Sequence, residues 1–459
     1  MPLHAHPSYP AQLDRLRRIL ESADRALLTE GVPADRTLAR CFRKNRNLGS
    51  KTRRLISNTL FSFCRWRGWL APSDQPLDTL PENERLQALV LAHALDSREI
   101  HPLFAWCASE LESFQSSKDT SAGGLALPAE GVSGWASQSI AEKAKMLALG
   151  RPDATAPRID ELVPLWFKEQ LAVPLNEERE EFCERCIASF QQRPPTWLRH
   201  SNPAQSNRWD YLIELGYPIQ IDPRHLETAS CESAISRAHL QSKSGRSYEI
   251  QDLASQSVGW VANPQPGESW WDACAGSGGK SLHLTALINN RGRLLATDLR
   301  LSVLQNLLER WSDTIDVNAE LDLCCSELDA ATESPAETFD GVLVDAPCSG
   351  MGTWSRSPDA RWRMPLYRIQ HVAKTQAALL TNAARHVRPG GTLVYAVCTL
   401  TQAETLDRVS EFEQRHPEFE AAVFPHPLLD EICHGNTWIW PWSGPTGAMF
   451  IAKWTRKNK

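Results

Sequence analysis

Two kinds of hydrophobic spacing divide the chain. In residues 9–111 apolar side chains recur every three or four positions, as at Leu16, Ile19 and Leu20, which is typical of amphipathic helices. After residue 248 the pattern changes to short apolar runs, each followed by a turn and a helical stretch. This alternation predicts a parallel sheet with helices on both faces. We therefore expect an all-α N-terminal region and an α/β C-terminal region.

A linker and a smaller segment separate these regions. Residues 116–133 are rich in Ser, Gly and Ala and are predicted to form a loop or linker. Residues 164–246 begin with a helix signal and contain Arg193-Pro-Pro-Thr-Trp-Leu-Arg-His200, where proline favours extended chain. Because the chain is too long for one ordinary core, we predict domains at residues 1–160, 161–246 and 247–459.

The C-terminal region contains four predicted strands, at residues 269–274, 293–298, 339–345 and 392–398. Helices are predicted at residues 281–288 and 301–311, and a turn at residues 388–391 precedes the last strand. The predicted strands end at Cys274, Asp298, Asp345 and Cys398. Ligands of open α/β folds bind at the carboxyl ends of the strands. The sequence therefore predicts a functional site along that edge.

The composition is that of a globular protein, with 42% hydrophobic and 23% charged residues. No stretch approaches the apolar length that spans a bilayer, and residues 1–6 have neither a basic start nor an apolar signal core. The 12 cysteines form no regular framework, which agrees with a reducing compartment. We therefore expect a cytoplasmic protein without a membrane partner.

One pair of cysteines, Cys183 and Cys186, has the spacing of zinc and redox sites. The pair lies within a predicted amphipathic helix at residues 178–190, and no second pair lies nearby in the sequence. A spacing of three places both thiols on one helix face, where cysteines commonly pack in the core. Core packing is therefore favoured, and no metal is expected.

The net charge of −6 argues against a protein that coats nucleic acid nonspecifically. Residues 36–67, here called the cationic stretch, nevertheless contain ten Lys or Arg and no Asp or Glu. The ten are Arg36, Arg40, Arg43, Lys44, Arg46, Lys51, Arg53, Arg54, Arg65 and Arg67. A cationic surface of this density gains affinity for phosphates by counterion release. The alternative is a solvated helix face.

The first predicted strand leads into a glycine-rich turn, Ala275-Gly-Ser-Gly-Gly-Lys280. Such a turn lets a ligand approach the backbone, and a carboxylate that ends the next strand, here Asp298, can bind a ribose. The turn lacks the GxGxxG pattern of dinucleotide enzymes and the length of a P-loop, and Asp272 precedes it. These features favour S-adenosylmethionine over NAD or a phosphate group.

Two cysteines at predicted strand ends indicate covalent chemistry. Cys348 lies in Val344-Asp-Ala-Pro-Cys-Ser-Gly-Met-Gly-Thr353, and Cys398 follows 50 residues later at the end of another strand. A cysteine acts as a nucleophile in its thiolate form. If the two strands are parallel, both thiols reach the same edge of the sheet.

The motifs of the C-terminal region occur in a recognisable order. They are Asp272-Ala-Cys-Ala-Gly-Ser-Gly-Gly-Lys280, Asp298, Asp345-Ala-Pro-Cys-Ser-Gly350, Gly352-Thr353, Arg356-Ser-Pro-Asp359 and Tyr395-Ala-Val-Cys-Thr-Leu400. As a set they resemble the Nop/Sun family of RNA cytosine-5 methyltransferases, over residues 251–453. Residues 193–199 resemble part of its small RNA-binding subdomain. Leu48-Gly-Ser-Lys-Thr-Arg-Arg54 and the helices around it are similar to the NusB-like module of the bacterial ribosomal-RNA branch.

The resemblance implies a Rossmann-like class I methyltransferase domain, preceded by a small α/β RNA-binding subdomain and an all-α NusB-like domain. It implies Cys398 as the nucleophile, Cys348 in product release and Asp345 near the target base. The implied S-adenosylmethionine site consists of Cys274, Ala275, Gly276, Ser277, Gly278, Gly279, Lys280, Asp298, Asp329 and Asp345. Ribosomal RNA is the implied substrate, with transfer RNA second.

The chain departs from the family pattern at four places. Gly276-Ser277 replaces Ala-Pro in the glycine turn, and Val397 replaces the Thr before the nucleophile. Thr405 replaces an Asn, and Thr446-Gly-Ala-Met-Phe450 replaces a segment of the Asp-Gly-Phe-Phe type. None of these changes removes a reactive group. They leave room for reduced activity or unusual specificity.

Two other classes of function compete with RNA methylation. A DNA cytosine-5 methyltransferase would use Cys348 as the attacking thiol, because a Pro-Cys dipeptide also marks that class. A noncatalytic RNA-binding assembly factor would keep the fold without the reaction. The cationic stretch and the second cysteine, Cys398, favour an RNA methyltransferase.

Overall fold

The computed structural model describes residues 7–116, 134–149, 155–202, 205, 207–240, 248–314 and 320–458. The predicted linker lies outside these residues apart from Ser116, and residues 1–6 also lie outside them. The chain forms two compact units. The helical unit consists of Met1–Glu169, Leu175–Gln192 and Ser357–Pro365, and the sheet unit of Gln170–Pro174, Arg193–Arg356 and Leu366–Lys459.

In the described part of the chain eight α-helices precede the first strand, and their apolar faces form the core of the helical unit. They are α1 (Tyr9–Glu30), α2 (Ala34–Lys44), α3 (Ser50–Leu70), α4 (Glu82–Asp96), α5 (Pro102–Ser116), α6 (Ile140–Leu149), α7 (Phe167–Gln170) and α8 (Arg179–Phe190). The predicted spacing at Leu16, Ile19 and Leu20 is confirmed, since all three are buried. The likeness of this unit to NusB stays a prediction.

The helical unit continues past residue 160, where the first domain boundary was predicted. Helix α8 belongs to it because Arg65 Nη1 donates a hydrogen bond to Phe190 O at 3.1 Å. Cys183 and Cys186 are both buried on α8, and burial raises the pKa of each thiol. Both cysteines therefore pack in the core, as their spacing predicted. Over the described ranges, no three His, Cys, Asp or Glu side chains group as metal ligands do.

A small antiparallel sheet opens the sheet unit, with strand order β2-β3-β1-β4. Its elements are β1 (Thr196–His200), α9 (Asp210–Glu214), β2 (Ile219–Ile221), β3 (Thr228–Cys231), α10 (Arg237–Leu240) and β4 (Tyr248–Ile250). Strand β1 confirms the extended chain predicted after the two prolines. The RNA-binding role of this sheet stays a prediction.

The large sheet has the strand order β10-β14-β9-β8-β5-β6-β7, with β13 paired to β14. Its strands are β5 (Ser269–Asp272), β6 (Arg291–Asp298), β7 (Glu320–Glu327), β8 (Phe339–Asp345), β9 (Val387–Val397), β10 (Phe419–Ala421), β13 (Asn436–Ile439) and β14 (Met449–Arg456). The hairpin β11 (Val423–Pro425) and β12 (Ile432–His434) forms a separate two-stranded sheet. Strands β5 to β9 are parallel, whereas β14 is antiparallel to β9.

Helices cover both faces of the large sheet. They are α11 (Leu253–Ala262), α12 (Gly279–Leu287), α13 (Leu301–Thr314), α14 (Leu366–Arg385) and α15 (Leu406–Arg415). Successive strand residues point to opposite faces: Trp271 belongs to one core and its neighbour Trp270 to the other. Both cores are apolar, which explains why the strands are continuous hydrophobic runs. In the part of the chain that the structure describes, no helix is long and apolar enough to cross a membrane.

Two details differ from the predicted elements. The turn at residues 388–391 lies within β9, where the register passes from Phe339↔Val387 to Gly341↔Thr392. These four residues therefore bulge from the strand instead of preceding it. Strand β5 ends at Asp272, so Cys274 lies two residues beyond the strand rather than at its end.

Candidate active site

The two predicted thiols lie together at the carboxyl edge of the large sheet. Cys348 follows β8 and Cys398 follows β9 directly, and the two strands are parallel neighbours. Their Sγ atoms are 3.3 Å apart, and both side chains are half-buried. The sequence thus predicted correctly that two cysteines 50 residues apart share one edge.

The pKa values of the two thiols are shifted in opposite directions. The hydrogen bond between the thiols lowers the pKa of Cys398 below its ordinary value, and the Lys280 ammonium also lowers it, against burial and the Asp345 carboxylate. The same hydrogen bond, burial and the charge of Cys398 raise the pKa of Cys348 well above its ordinary value. Cys398 is therefore the thiol of the pair that ionises more readily. Thiolate character is what a nucleophilic cysteine requires.

Lys280 and Asp345 form an ion pair beside the thiols, with Nζ 2.7 Å from Oδ2. Burial opposes the charge of Lys280, but the charge of Asp345 and this hydrogen bond raise the pKa of the lysine. Lys280 is therefore an ammonium that faces both Asp345 and Cys398.

The glycine turn connects β5 to α12. Gly276 and Gly278 have φ angles of 54° and 86°, which favour glycine. A Cβ on Gly278 would lie 2.2 Å from Leu307 Cδ1, so this position also needs glycine for packing against α13. A Cβ on Gly276 would meet nothing within 4 Å. The turn therefore presents open backbone at the edge of the sheet.

Asp298 at the end of β6 fixes the turn. Its Oδ2 accepts a hydrogen bond from Gly276 N at 3.0 Å, and its Oδ1 accepts from Arg300 Nε at 2.9 Å. The carboxylate is only 10% exposed and lies at the place predicted for a ribose-binding acid. Arg300 was not singled out in the sequence, although it lies two residues after Asp298.

A buried acid, Asp272, lies beneath the turn. Its Oδ2 accepts a hydrogen bond from Ser281 Oγ at 2.6 Å, and burial raises its pKa to about 7. Burial raises the pKa of Cys274 too, with further contributions from Asp272, Asp345, Asp298 and Asp329 in that order. Cys274 is therefore within electrostatic reach of four carboxyl groups. Asp329 lies two residues past β7, where its Oδ1 accepts a hydrogen bond from Ala331 N at 3.0 Å.

Glu404 is a site residue that the sequence analysis missed. It is fully buried, and its carboxylate binds backbone or side-chain donors next to both thiols, including Ser349 N at 2.8 Å. The available signal was Thr401-Gln-Ala-Glu404, a Thr-x-x-Glu pattern of the kind that begins a helix. Here Thr401 Oγ1 donates to Glu404 Oε2 at 2.6 Å.

Two departures from the family pattern have partners of their own. Thr405 Oγ1 donates to Thr401 O at 2.6 Å. Thr446 Oγ1 donates to Asp252 and accepts from Ala254 N at 3.0 Å. Both hydroxyls are buried and hydrogen-bonded. The buried hydroxyls that these two replacements introduce therefore both have hydrogen-bond partners.

The cationic stretch lies on α2, on α3 and in the loop between them, all in the helical unit. Seven of its ten cations are exposed: Arg36, Arg40, Arg43, Lys44, Arg46, Lys51 and Arg54. Arg65 and Arg67 are buried instead, because they pair with Asp96 and Asp24. The prediction of a single cationic surface is therefore wrong for these two residues.

A parallel sheet with β14 inserted antiparallel beside β9, a glycine turn after β5 and an acid ending β6 is the arrangement of class I methyltransferases. A sequence model of the family described as 16S rRNA methyltransferase RsmB/F matches residues 260–455. The chain belongs to this RsmB-type branch of the Nop/Sun family, as its motifs predicted.

Curated relatives agree with the family. The probable ribosomal RNA small subunit methyltransferase B of Synechocystis sp. is 33% identical over 303 residues, which are 63% of this chain and 66% of that protein. The protein of the same description in Bacillus subtilis is 32% identical over 217 residues, 46% of this chain and 48% of its own length. The chain thus spans between about half and two thirds of these relatives.

Solved structures share the fold. The crystal structure of PH0851 matches 97% of this chain and 98% of its own, with a TM-score of 0.67 and 22% identity. NSun6 from Pyrococcus horikoshii, solved with SFG, matches 61% of this chain and 96% of its own, with a TM-score of 0.52 and 16% identity. At these identities the likeness concerns the fold alone.

Proposed function

We propose that the chain is an S-adenosylmethionine-dependent RNA cytosine-5 methyltransferase that acts on ribosomal RNA in the cytoplasm. The observation that carries this proposal is the contact between Cys398 and Cys348, 3.3 Å apart at the edge that also holds the glycine turn. A thiolate nucleophile beside a second, protonated thiol suits a reaction in which an enzyme–base bond must form and then break.

The residues of the glycine turn fit S-adenosylmethionine. Gly276 leaves room for a ligand at the backbone, and Asp298 offers a carboxylate to a ribose. Asp272, Asp329 and Asp345 add carboxyl groups, which suit a cofactor that carries a sulfonium charge. When bound, the cofactor supplies the methyl group. SFG, the ligand of the NSun6 structure, is an analogue of S-adenosylmethionine, which supports this choice.

The chemistry of cytosine explains why the reaction needs a thiolate. Carbon 5 of the ring is too weak a nucleophile to accept a methyl group by itself. Addition of Cys398 Sγ to carbon 6 turns the ring into an enamine, whose carbon 5 is nucleophilic. The lowered pKa of Cys398 provides the thiolate for this step.

Asp345 and Lys280 are placed to assist the addition. In the proposed mechanism Asp345 holds the proton at the ring nitrogen while negative charge develops during attack. Lys280, 2.7 Å from Asp345, keeps a positive charge close to Cys398 before attack. After methyl transfer a base removes the proton from carbon 5, and the bond between Sγ and carbon 6 breaks. The Cys348 thiol can then donate a hydrogen bond to the departing Cys398 thiolate.

The opposite pKa shifts of the two thiols bear on the DNA-type alternative. That mechanism requires Cys348 as the attacking thiolate, but the pKa of Cys348 is raised and that of Cys398 is lowered. A noncatalytic RNA-binding factor would not need two adjacent thiols whose pKa values are shifted in opposite directions. Both observations favour attack by Cys398.

RNA is the proposed partner for two reasons. A base must leave its stack to reach the thiols, which single-stranded or loop RNA allows at low cost. The seven exposed cations of the cationic stretch offer a surface for phosphates. The names of the relatives favour ribosomal RNA over transfer RNA.

Bisulfite sequencing of total RNA tests this proposal, because 5-methylcytosine resists conversion. RNA from cells with the gene is compared with RNA from cells that lack it and from cells that carry only Cys398→Ala. We expect one or more ribosomal cytosines that are protected only by the unmodified gene. Protection confined to transfer RNA would replace the substrate, and no difference in any RNA would favour the noncatalytic assembly factor.

A further inference from the structure

The side-chain carboxylate of Glu404 accepts four hydrogen bonds. It ends the short 3₁₀ helix Gln402–Glu404 that follows β9, and it is fully buried. Its carboxylate accepts hydrogen bonds from Ser349 N at 2.8 Å, Gln376 Nε2 at 3.1 Å, Thr401 Oγ1 at 2.6 Å and Thr399 Oγ1 at 3.3 Å. A buried carboxylate needs such donors to remain charged.

Two of these donors adjoin the two thiols. Ser349 follows Cys348, and Thr399 follows Cys398, so one carboxylate binds the residue after each cysteine. The hydroxyls of Ser349 and Thr399 also contact each other at 2.7 Å. The loops after β8 and β9 are therefore tied together through Glu404 and through this contact.

We propose that Glu404 is a positioning residue that holds the Cys348 and Cys398 thiols in contact by binding the residue after each of them. The inference rests on the proposed function and deepens it, because it explains which thiol attacks. Glu404 itself touches neither the base nor the cofactor in this account. It acts through the backbone after Cys348 and the hydroxyl after Cys398.

The contact matters because it is the largest influence on both thiols. The hydrogen bond between them lowers the pKa of Cys398 and raises that of Cys348. The charge of Glu404 raises the pKa of both thiols, so it does not distinguish them. Tyr395 also fixes this segment, since its hydroxyl donates a hydrogen bond to Glu404 O at 2.7 Å. Glu404 therefore acts by holding the contact and not by its charge.

Glu404→Gln removes the negative charge of the side chain but keeps its shape. The amide oxygen can still accept from Ser349 N and Gln376 Nε2, while the amide nitrogen faces hydroxyls that can rotate to accept. The substitution thus removes the negative charge and can keep the hydrogen bonds. Glu404→Ala removes the hydrogen bonds as well. Its matched control is Glu413→Ala on α15, whose carboxylate accepts a hydrogen bond from Trp454 Nε1 at 3.0 Å and is not among the groups that influence the thiols.

The test measures iodoacetamide alkylation of Cys348 and Cys398 separately, by peptide mass spectrometry of the full chain between about pH 6 and pH 10. In the unmodified chain we expect Cys398 to react at lower pH than Cys348. In Glu404→Ala, which binds neither loop, the ratio of the two rates near neutral pH should fall about tenfold, which corresponds to one unit of pKa difference. In Glu404→Gln, which can keep the hydrogen bonds, and in Glu413→Ala the ratio should not change. An unchanged ratio in folded Glu404→Ala, or an equal fall in Glu404→Gln or Glu413→Ala, would overturn the proposal.

Glu404→Asp tests the same role and covers the case in which Glu404→Ala does not fold. It keeps the charge, but a side chain one methylene shorter cannot reach both loops. We expect the alkylation ratio to fall, and methyl transfer to fall with it by at least about tenfold. An unchanged ratio in folded Glu404→Asp would overturn the positioning role. Because alkylation needs neither RNA nor S-adenosylmethionine, the thiol contact can be tested even if the proposed function fails.

Discussion

The carboxyl edge of the large sheet and the cationic stretch were both predicted from residue types. The structure agrees with the first prediction but only partly with the second. At the edge, Asp298, Asp345 and Cys398 lie where the strands were predicted to end. In the cationic stretch, Arg65 and Arg67 turn inward to buried acids, whereas seven other cations are exposed. The position of reactive residues at strand ends was predictable from the sequence. Whether a charged side chain on a helix faces the core or the solvent was not.

The reason for this difference is geometric. A residue that ends a strand of a parallel sheet reaches the same edge as the ends of its neighbours, whatever its side chain. A residue on a helix faces the core or the solvent according to its phase, and α3 becomes buried on most sides towards its end. The acids that hold Arg65 and Arg67 lie outside residues 36–67, on α4 and α1. Counting charges within a window could not reveal them.

The largest expected effect distinguishes the buried cations of the cationic stretch from the exposed ones. Arg67→Met leaves Asp24 buried without its cation, so we expect the free energy of unfolding to fall by about 3–5 kcal/mol. The exposed Arg36→Met should change it by less than about 0.5 kcal/mol. Denaturant unfolding of the full chain, followed by circular dichroism, measures both. Equal losses of the free energy of unfolding would show that the buried Arg67 and the exposed Arg36 contribute alike to stability.

The next effect concerns the carboxyl edge. Lys280→Met removes the cation that faces Cys398 and Asp345, so methyl transfer should fall by about a hundredfold. The acid limb of the pH–rate profile should move to higher pH, because loss of a cation raises the pKa of Cys398.

Lys374→Met is the matched control, since this lysine is exposed on α14. A profile that moves equally in both variants, or in neither, would contradict the role given to Lys280.

A smaller effect is expected for the exposed part of the cationic stretch. Charge reversal of Arg43, Lys44 and Arg46 to Glu should weaken RNA binding about tenfold or more and reduce the salt slope of log K by about 2–3. Binding of S-adenosylmethionine should not change. Fluorescence anisotropy over a salt series, with calorimetry for the cofactor, provides the measurement.

Reversal of three exposed cations elsewhere in the helical unit, Arg15, Arg98 and Lys145, is the control for net charge. If both triple variants lose the same affinity, the cationic stretch has no special role in RNA binding.

The smallest effect is a pH dependence of stability. Burial raises the pKa of Asp272 from 3.8 to about 7, so the folded chain retains a proton that the unfolded chain releases at lower pH. The resulting stabilisation is complete below about pH 4 and disappears as the pH rises through about 7. Asp272→Asn cannot lose this proton. Between about pH 5 and pH 8 the Tm of the unmodified chain should therefore fall by a few degrees relative to the variant, and parallel Tm curves would refute the shift.

Most of the candidate site followed from local sequence, and the exceptions have a common cause. The glycine turn and the strand-end residues are each recognisable within about ten residues of chain. Glu404 is different, because its partner Ser349 is 55 residues away and only the folded sheet brings them together. The bulge at residues 388–391 also depends on a neighbour, since its register is set by β8.

The most direct test of the central claim is capture of the covalent bond between enzyme and RNA. Cys348→Ala is incubated with the substrate RNA and S-adenosylmethionine, and the denatured products are separated by electrophoresis. The account predicts a stable RNA–protein adduct in Cys348→Ala, because release is impaired, and none when Cys398→Ala is added. An adduct that forms in Cys398→Ala alone, attached to Cys348, would contradict the account and support the DNA-type order of the two thiols.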